Sequence, residues 1–158
     1  MAKGFWLVKT EPEVYSIDDL RRDRVTDWDR VRNHQAKLSL RDGMRDGDRV
    51  LVYHSNADPA GIAGIAEVVG EAIADPTQFD ARSEYHDPKS TPAAPRWMMR
   101  RMRFVERFAR VVTLDELRAD AASASMMALR PGNRLSVTPV SAAEFRAACR
   151  LAKRAVAR

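Results

Sequence analysis

The sequence has a single cysteine and no long hydrophobic run. With only Cys149 present, an internal disulfide and a zinc site built from several cysteines are both excluded. A reducing, cytoplasmic environment is therefore the expectation. The apolar runs are a handful of residues long, whereas a membrane span needs ~20, so we expect no membrane partner. Lys9, Glu11 and Glu13 interrupt the apolar stretch that a secretory signal requires.

Motifs that bind cofactors or catalyse reactions are also missing. There is no glycine-rich phosphate loop, dinucleotide fingerprint or nucleophile elbow. His34, His54 and His86 lack the spacing that lets one helix face chelate a metal. The cluster from Glu84 to Asp87 has groups for metal binding or acid–base chemistry, but a solvated turn is the commoner outcome in a proline-rich stretch. We therefore expect no catalytic residue, no metal and no cofactor.

Positive charge is in excess and is unevenly distributed. The chain has 27 lysines and arginines against 22 acids, a net charge of +5, and a pI near 9.8. Residues 96–110 carry six arginines and one acid, and residues 144–158 add a net +4. Arginine suits bidentate contact with phosphate. A basic surface of this kind is either merely solvated or faces an anionic partner, and the two basic segments favour nucleic acid.

The local patterns predict many strands with a few short helices between them. Strands are predicted over 5–10, 49–54, 62–72, 100–111 and 134–140. Glycines predict a bend or bulge in the third strand at Gly64 and Gly70. The stretch 75–95 holds four prolines, so it is predicted to be a long surface loop. This arrangement favours a small, strongly curved sheet or barrel.

Helix starts are predicted where a hydroxyl residue precedes an acid by three positions, at Ser16, Thr113 and Ser141. A fourth helix is predicted over 33–42, with Gly43 as a left-handed stop. No repeat or linker is visible, so we expect one domain over 1–158 that ends in a basic helix at about 142–158. The alanine- and arginine-rich composition indicates a bacterial source.

Aromatic and hydrogen-bonding residues gather at the predicted strand ends, which is the mixture that a planar base needs. Aromatic faces stack on a base for ~1–3 kcal/mol, and amides and hydroxyls bind its edge. The alternative is ordinary core packing. We expect Trp6 in the core and Trp28, between Asp27 and Asp29, in a cleft. By itself, His54 is more often a satisfied core histidine than a ligand.

Five motifs in order along residues 5–145 resemble the EVE domain family. They are Phe5–Pro12 followed by Tyr15–Leu20, then Trp28–Asn33, Asp48–Asn56, Ser83–Ser90 with Pro95–Trp97, and Gly132–Val137. The resemblance implies an α+β fold, a PUA-like pseudobarrel related to YTH and ASCH domains, with a strongly curved mixed sheet and several short helices inserted. It also implies a non-enzymatic module that binds DNA or RNA carrying a modified base. The alternative is an enzyme or a small-molecule-binding protein that uses the same pocket.

The resemblance also implies the site residues. Trp28 and Tyr53 would form walls of the pocket, and it would be lined by Lys9, Thr10, Asn33, His54, Ser55, Arg134 and Ser136. The backbone of the nucleic acid would be held by Lys89, Arg96, Arg101 and Arg103. We expect the protein to be a monomer.

Overall fold

Six strands form one mixed sheet in the computed structural model of the chain, which describes residues 3–154. The strands are β1 (Phe5–Thr10), β2 (Val25–Trp28), β3 (Arg49–His54), β4 (Gly61–Ala74), β5 (Met98–Thr113) and β6 (Val137–Val140). Their order across the sheet is β2-β5-β4-β3-β1-β6. The pair β1–β3 is parallel and the other neighbours are antiparallel. The predicted mixed sheet is confirmed, and it is not closed into a barrel.

Short helices occupy the connections, as predicted. They are α1 (Ile17–Asp23), α2 (His34–Leu38), α3 (Leu114–Ala119) and α4 (Ala142–Ala152), with 3-10 turns at Pro76–Phe79 and Met127–Leu129. The capping boxes at Ser16, Thr113 and Ser141 are all present, because each hydroxyl accepts the backbone N–H of an acid that binds back to the cap. The three helix starts predicted from the sequence are therefore confirmed.

The two faces of the sheet carry separate cores. Leu7 and Leu51 lie on the face covered by α3 and α4. Val8, Val50 and Val52 lie on the opposite face, which α1 and α2 cover. The strands alternate because successive side chains point to opposite sides of a sheet. Both faces are thereby buried, and functional groups are left to the strand ends and the loops.

The predicted helix over 33–42 differs from the observed structure. α2 ends at Leu38 and a π-helical turn follows over Ser39–Gly43. Gly43 does not adopt a left-handed conformation, so the prediction of a left-handed stop is wrong. Glycine is needed there for space, since a Cβ would lie 2.6 Å from Cη2 of Trp6. The Trp6 indole N–H donates to buried Asp48 at 2.9 Å, which confirms its structural role.

Other boundaries also shifted. The strand predicted over 134–140 begins only at Val137, and β2 was not predicted because its four residues have no apolar alternation. α4 ends at Ala152. The backbone N–H groups of Lys153 and Arg154 then donate to the carbonyl oxygens three residues earlier, which tightens the last turn. The last part of the predicted helix, residues 155–158, lies outside the described residues. The expected irregularities near Gly64 and Gly70 are present as register shifts between β4 and β5.

Candidate binding cavity

A cavity of about 370 Å³ opens beside the ends of β1 and β2. It is lined by Lys9, Thr10, Val14, Tyr15, Thr26, Asp27, Trp28, Asp29, Arg30, Val31, Arg32, Asn33, Tyr85 and Ser136. Four separate stretches of chain supply these residues: β1 with the turn after it, β2 with the segment 29–33, the proline-rich loop, and the residue before β6. The volume is within the range of sites that hold one small molecule, ~300–1,000 Å³.

Trp28 forms the main aromatic wall. It is the last residue of β2, where pairing with Arg100 of β5 fixes its backbone. Its side chain is half-buried and packs against the core on the α1 side. The ring of Tyr15 stands perpendicular to the indole at 6.3 Å between centroids, a favoured aromatic geometry. The Tyr15 hydroxyl donates to Asp23 at 2.8 Å, and this hydrogen bond fixes the ring that packs against Trp28.

Polar groups from β1 and the approach to β6 line another part of the cavity. The Lys9 ammonium lies 3.4 Å from the carbonyl oxygen of Asn133 and 5.9 Å from the ring centre of Tyr53. Burial lowers the pKa of Lys9. The Thr10 hydroxyl donates to the Tyr15 carbonyl at 2.8 Å. Ser136 joins them because its carbonyl accepts the Lys9 backbone N–H at 2.9 Å.

The segment 29–33 is shaped by one fully buried carboxylate, that of Asp75. It accepts hydrogen bonds from the Arg30 backbone N–H at 2.6 Å and the Arg32 guanidinium at 3.2 Å. The N–H and hydroxyl of Thr77 donate to its other oxygen at 2.8 and 2.6 Å. Burial raises the pKa of Asp75, but these donors outweigh it and hold the pKa below its ordinary value. Asp75 is therefore an anion that ties the segment to the proline-rich loop.

Tyr85 brings the proline-rich loop to the cavity. Its ring lies 5.6 Å from the Arg30 guanidinium carbon and 5.4 Å from that of Arg32, distances typical of cation–π contacts. Arg32 also donates to the Tyr85 carbonyl at 2.8 and 3.2 Å. The loop itself is organised around the buried amide of Gln78, which binds the backbone of Asp75 and Trp97. This long loop is therefore an ordered part of the site.

Two carboxylates line the cavity, and their surroundings differ. Asp27 lies opposite Arg101 in the β2–β5 pair and accepts from its Nε at 3.0 Å. Asp29 has Arg30 Nε at 3.9 Å, which is too long for a hydrogen bond. Burial, followed by the charge of Asp75, raises the pKa of Asp29, and Arg30 opposes the rise. The carboxylate of Asp29 is one-third exposed, so it is open to a ligand in the cavity.

The structure brings together five of the nine predicted pocket residues: Lys9, Thr10, Trp28, Asn33 and Ser136. Asn33 is the N-cap of α2, where its side-chain oxygen accepts the Ala36 N–H at 3.0 Å. The amide nitrogen of Asn33 is then the group left for a ligand. Tyr53 is buried in the core on the α3 and α4 side. Ser55 follows β3, and Arg134 is exposed; neither lines the cavity.

His54 does not line the cavity either. It is buried, and its Nε2 accepts the backbone N–H of Ile17 at 3.1 Å. Ile17 is the first residue of α1, so the histidine satisfies one of the donors that a helix start leaves without a partner. Burial lowers the pKa of His54, against a smaller opposite effect of Asp18. This is the satisfied core histidine that the sequence offered as the alternative to a ligand.

The predicted phosphate contacts on β5 lie in cross-strand ion pairs. Arg101 bonds Asp27 at 3.0 Å and Arg103 bonds Glu67 at 3.1 Å, each with the residue directly opposite. Arg96 pairs with Asp87 at 3.2 Å. Lys89 is exposed on the proline-rich loop. Since the three arginines remain about 37–52% exposed and each guanidinium has five N–H donors, they can contact a phosphate while keeping these pairs.

Sequence reasoning missed several lining residues, among them Tyr15, Asp29, Arg30, Arg32 and Tyr85. All five lie inside the motifs that carry the family resemblance, which was the available signal. Tyr85 belongs to the cluster Glu84–Asp87, whose members separate in the structure: the ring of Tyr85 reaches the cavity, and Asp87 accepts from the Trp97 indole at 2.8 Å. Among residues 3–154, no group of His, Cys, Asp and Glu is placed to hold a metal ion.

Short helices on both faces of an open mixed sheet, with a cavity at the strand ends, define an α+β domain of the PUA-like class. The family model described as EVE domain matches residues 4–151. The chain belongs to the EVE domain family. No helix in the part of the chain that the structure describes has the length and apolar character to cross a membrane.

Relatives support this membership. Thymocyte nuclear protein 1 of Homo sapiens is 37% identical over 158 residues, which cover 89% of this chain and 70% of the human protein. The solved structure of a hypothetical protein from Leishmania major has a TM-score of 0.90 and 43% identity, and 96% of each chain is covered. A crystal structure of human THYN1 protein in complex with DNA containing 5-methylcytosine has a TM-score of 0.87 and 35% identity, covering 98% of this chain and 100% of that one.

Proposed function

We propose that this chain is a non-enzymatic module that binds DNA and takes one modified base into the cavity beside Trp28. The observation that carries the proposal is the wall formed by the half-buried Trp28, with Lys9 and Asn33 offering donors beside it. An aromatic face with polar groups at its edge is what an unstacked base requires. The human relative bound to DNA containing 5-methylcytosine supports the same ligand class.

Cations near the cavity would hold the phosphates. The Arg30 side chain is 57% exposed at the cavity. Arg134 and Lys89 are exposed on two stretches that also supply cavity-lining residues, the one before β6 and the proline-rich loop. The paired arginines 96, 101 and 103 would add contacts through the guanidinium donors that their ion pairs leave unused. The cavity is lined by aromatic rings that can stack on a base and by polar groups that can form hydrogen bonds with its edge. Such a lining supports binding without turnover. RNA as the partner, the monomeric state, the cytoplasmic location and the bacterial source remain predictions.

The test is binding to short oligonucleotides at two salt concentrations. Unmodified DNA and RNA are compared with strands in which one cytosine is methylated or hydroxymethylated, with Trp28→Ala as the matched variant. The expected result is tighter binding of one modified DNA than of its unmodified counterpart, with the preference lost in the variant. Affinity should fall with salt at a log–log slope of about −0.9 per phosphate contact on duplex DNA. Equal binding to every strand would contradict the proposal and leave only a basic surface.

A further inference from the structure

The carboxylate of Asp29 has no side-chain hydrogen-bond donor among residues 3–154. Within residues 3–154 no other residue donates a hydrogen bond to it, and Arg30 Nε is 3.9 Å away. The carboxylate is only one-third exposed and lies in the field of buried, anionic Asp75. The backbone N–H of Asp29 itself interacts with the carboxylate, and the two oxygens have room for further donors. A ligand that donates a hydrogen bond can therefore bind at this point.

The other carboxylates near the cavity already accept from charged side chains. Asp27 accepts from Arg101 at 3.0 Å, and both oxygens of Asp75 are occupied by donors from Arg30, Arg32 and Thr77. Asp29 is therefore the carboxylate in this cavity that is open as an acceptor. Donors at the cavity include the Lys9 ammonium, the Asn33 amide nitrogen and the Arg30 guanidinium. The cavity thus presents one strong acceptor among donors.

We propose that Asp29 is the specificity-determining residue of the cavity, accepting a hydrogen bond from the exocyclic amino group of a cytosine-type base. This inference rests on the proposed function. Cytosine offers an amino donor at C4 and acceptors at N3 and O2, which matches the cavity. Carboxylates pair with that amino group in protein–DNA recognition. Thymine has a carbonyl oxygen at C4, which would face the carboxylate without a proton between them.

The comparison of 5-methylcytosine with thymine isolates this contact. Both bases carry a methyl group at C5, so they differ at C4 and N3 alone. Each base is placed opposite an abasic position in the same duplex, which removes any difference in base pairing. Affinities are measured by fluorescence anisotropy for the wild type and for Asp29→Asn. The matched control is Asp42→Asn, which makes the same change of charge at an exposed carboxylate that pairs with Arg41 and does not line the cavity.

The wild type is expected to prefer 5-methylcytosine over thymine by about 10-fold or more. Because an amide can either accept or donate, Asp29→Asn should reduce the preference to within about 3-fold. Asp42→Asn should retain the wild-type ratio. A retained ratio in Asp29→Asn, or no preference in the wild type, would overturn the inference. A duplex with unmethylated cytosine opposite the abasic position tests the proposed function separately, because equal binding of cytosine and 5-methylcytosine would contradict that function whatever Asp29 does.

Discussion

Asp75 holds the backbone of Arg30 in place. The two residues are 45 positions apart, and a carboxylate oxygen of Asp75 accepts the Arg30 N–H at 2.6 Å. Arg30 has a φ of +62°, in the left-handed region that side chains rarely adopt. A backbone of this kind persists only where its surroundings enforce it. A residue that begins the proline-rich loop therefore fixes the wall that carries Asp29 and Arg30.

Replacing Asp75 by asparagine should destabilise the protein and loosen this wall. The amide cannot accept at both oxygen positions, so donors from Arg30, Arg32 or Thr77 lose their partner. Hydrogen bonds to charged groups contribute ~1.5–3 kcal/mol each, and we expect a loss of about 2–3 kcal/mol in the free energy of unfolding by urea denaturation. Asp80→Asn, on an exposed part of the same loop, is the control and should cost less than about 1 kcal/mol. Equal losses would contradict the prediction.

Trp28→Ala should weaken base binding by about 5- to 150-fold, since stacking on one base contributes ~1–3 kcal/mol. Trp28→Phe, which keeps an aromatic face, should retain most of the affinity. Anisotropy with the preferred oligonucleotide measures both variants. Thermal melting is the control for folding, because Trp28 also contacts the core. If the alanine variant melts far below the wild type, Trp28 is chiefly a core residue and its assignment to binding is wrong.

Arg101→Ala combined with Arg103→Ala should weaken binding to all sequences alike. Contacts to phosphate do not distinguish bases, and losing two should flatten the log–log salt slope by about 1–2. The control is Arg146→Ala with Arg150→Ala, which removes the same charge from the exposed surface of α4. If the α4 pair changes the slope and the β5 pair does not, β5 lies outside the interface.

Gly64→Ala should lower the free energy of unfolding by about 1–3 kcal/mol. A Cβ at this position of β4 would clash with the backbone oxygen of Glu106 and lie 2.7 Å from Ile17 Cγ1. Backbone in the centre of a sheet cannot move away cheaply. Gly43→Ala is the comparison, because its Cβ would meet the end of the Trp6 ring, a side chain. Urea denaturation should show the larger loss for Gly64, and the reverse order would contradict the packing described above.

His54 should make stability depend on pH. Burial lowers the pKa of His54 in the folded protein below the ordinary value of about 6.5. The unfolded chain then binds a proton more readily, so this contribution is complete above about pH 6.5 and is lost as the pH falls towards the folded pKa. Between about pH 7.5 and 5.5, the free energy of unfolding should fall more steeply for the wild type than for His54→Gln, whose amide oxygen can still accept from Ile17. Parallel pH profiles would show that His54 does not contribute.

Local signals in the sequence predicted the elements well. The strands over 5–10 and 49–54 were predicted with the observed boundaries. The helix starts at Ser16, Thr113 and Ser141 were predicted as well, because a capping box is a contact between residues three positions apart. Strand alternation and cap chemistry act over a few residues. The order of the family motifs could likewise be read along the chain.

Tertiary structure alone decided which side chains share the cavity. Asp75 and Tyr85 meet the segment 29–33 across about 45 to 55 positions, and nothing local records that contact. The register of β2 against β5 places Asp27 opposite Arg101 and so occupies one carboxylate while Asp29 stays open. His54 binds the start of α1 instead of lining the cavity, because its Nε2 accepts the backbone N–H of Ile17, 37 positions away in the sequence. The sequence by itself determined the elements and the family, whereas long-range packing and strand register, which depend on the whole chain at once, determined the site.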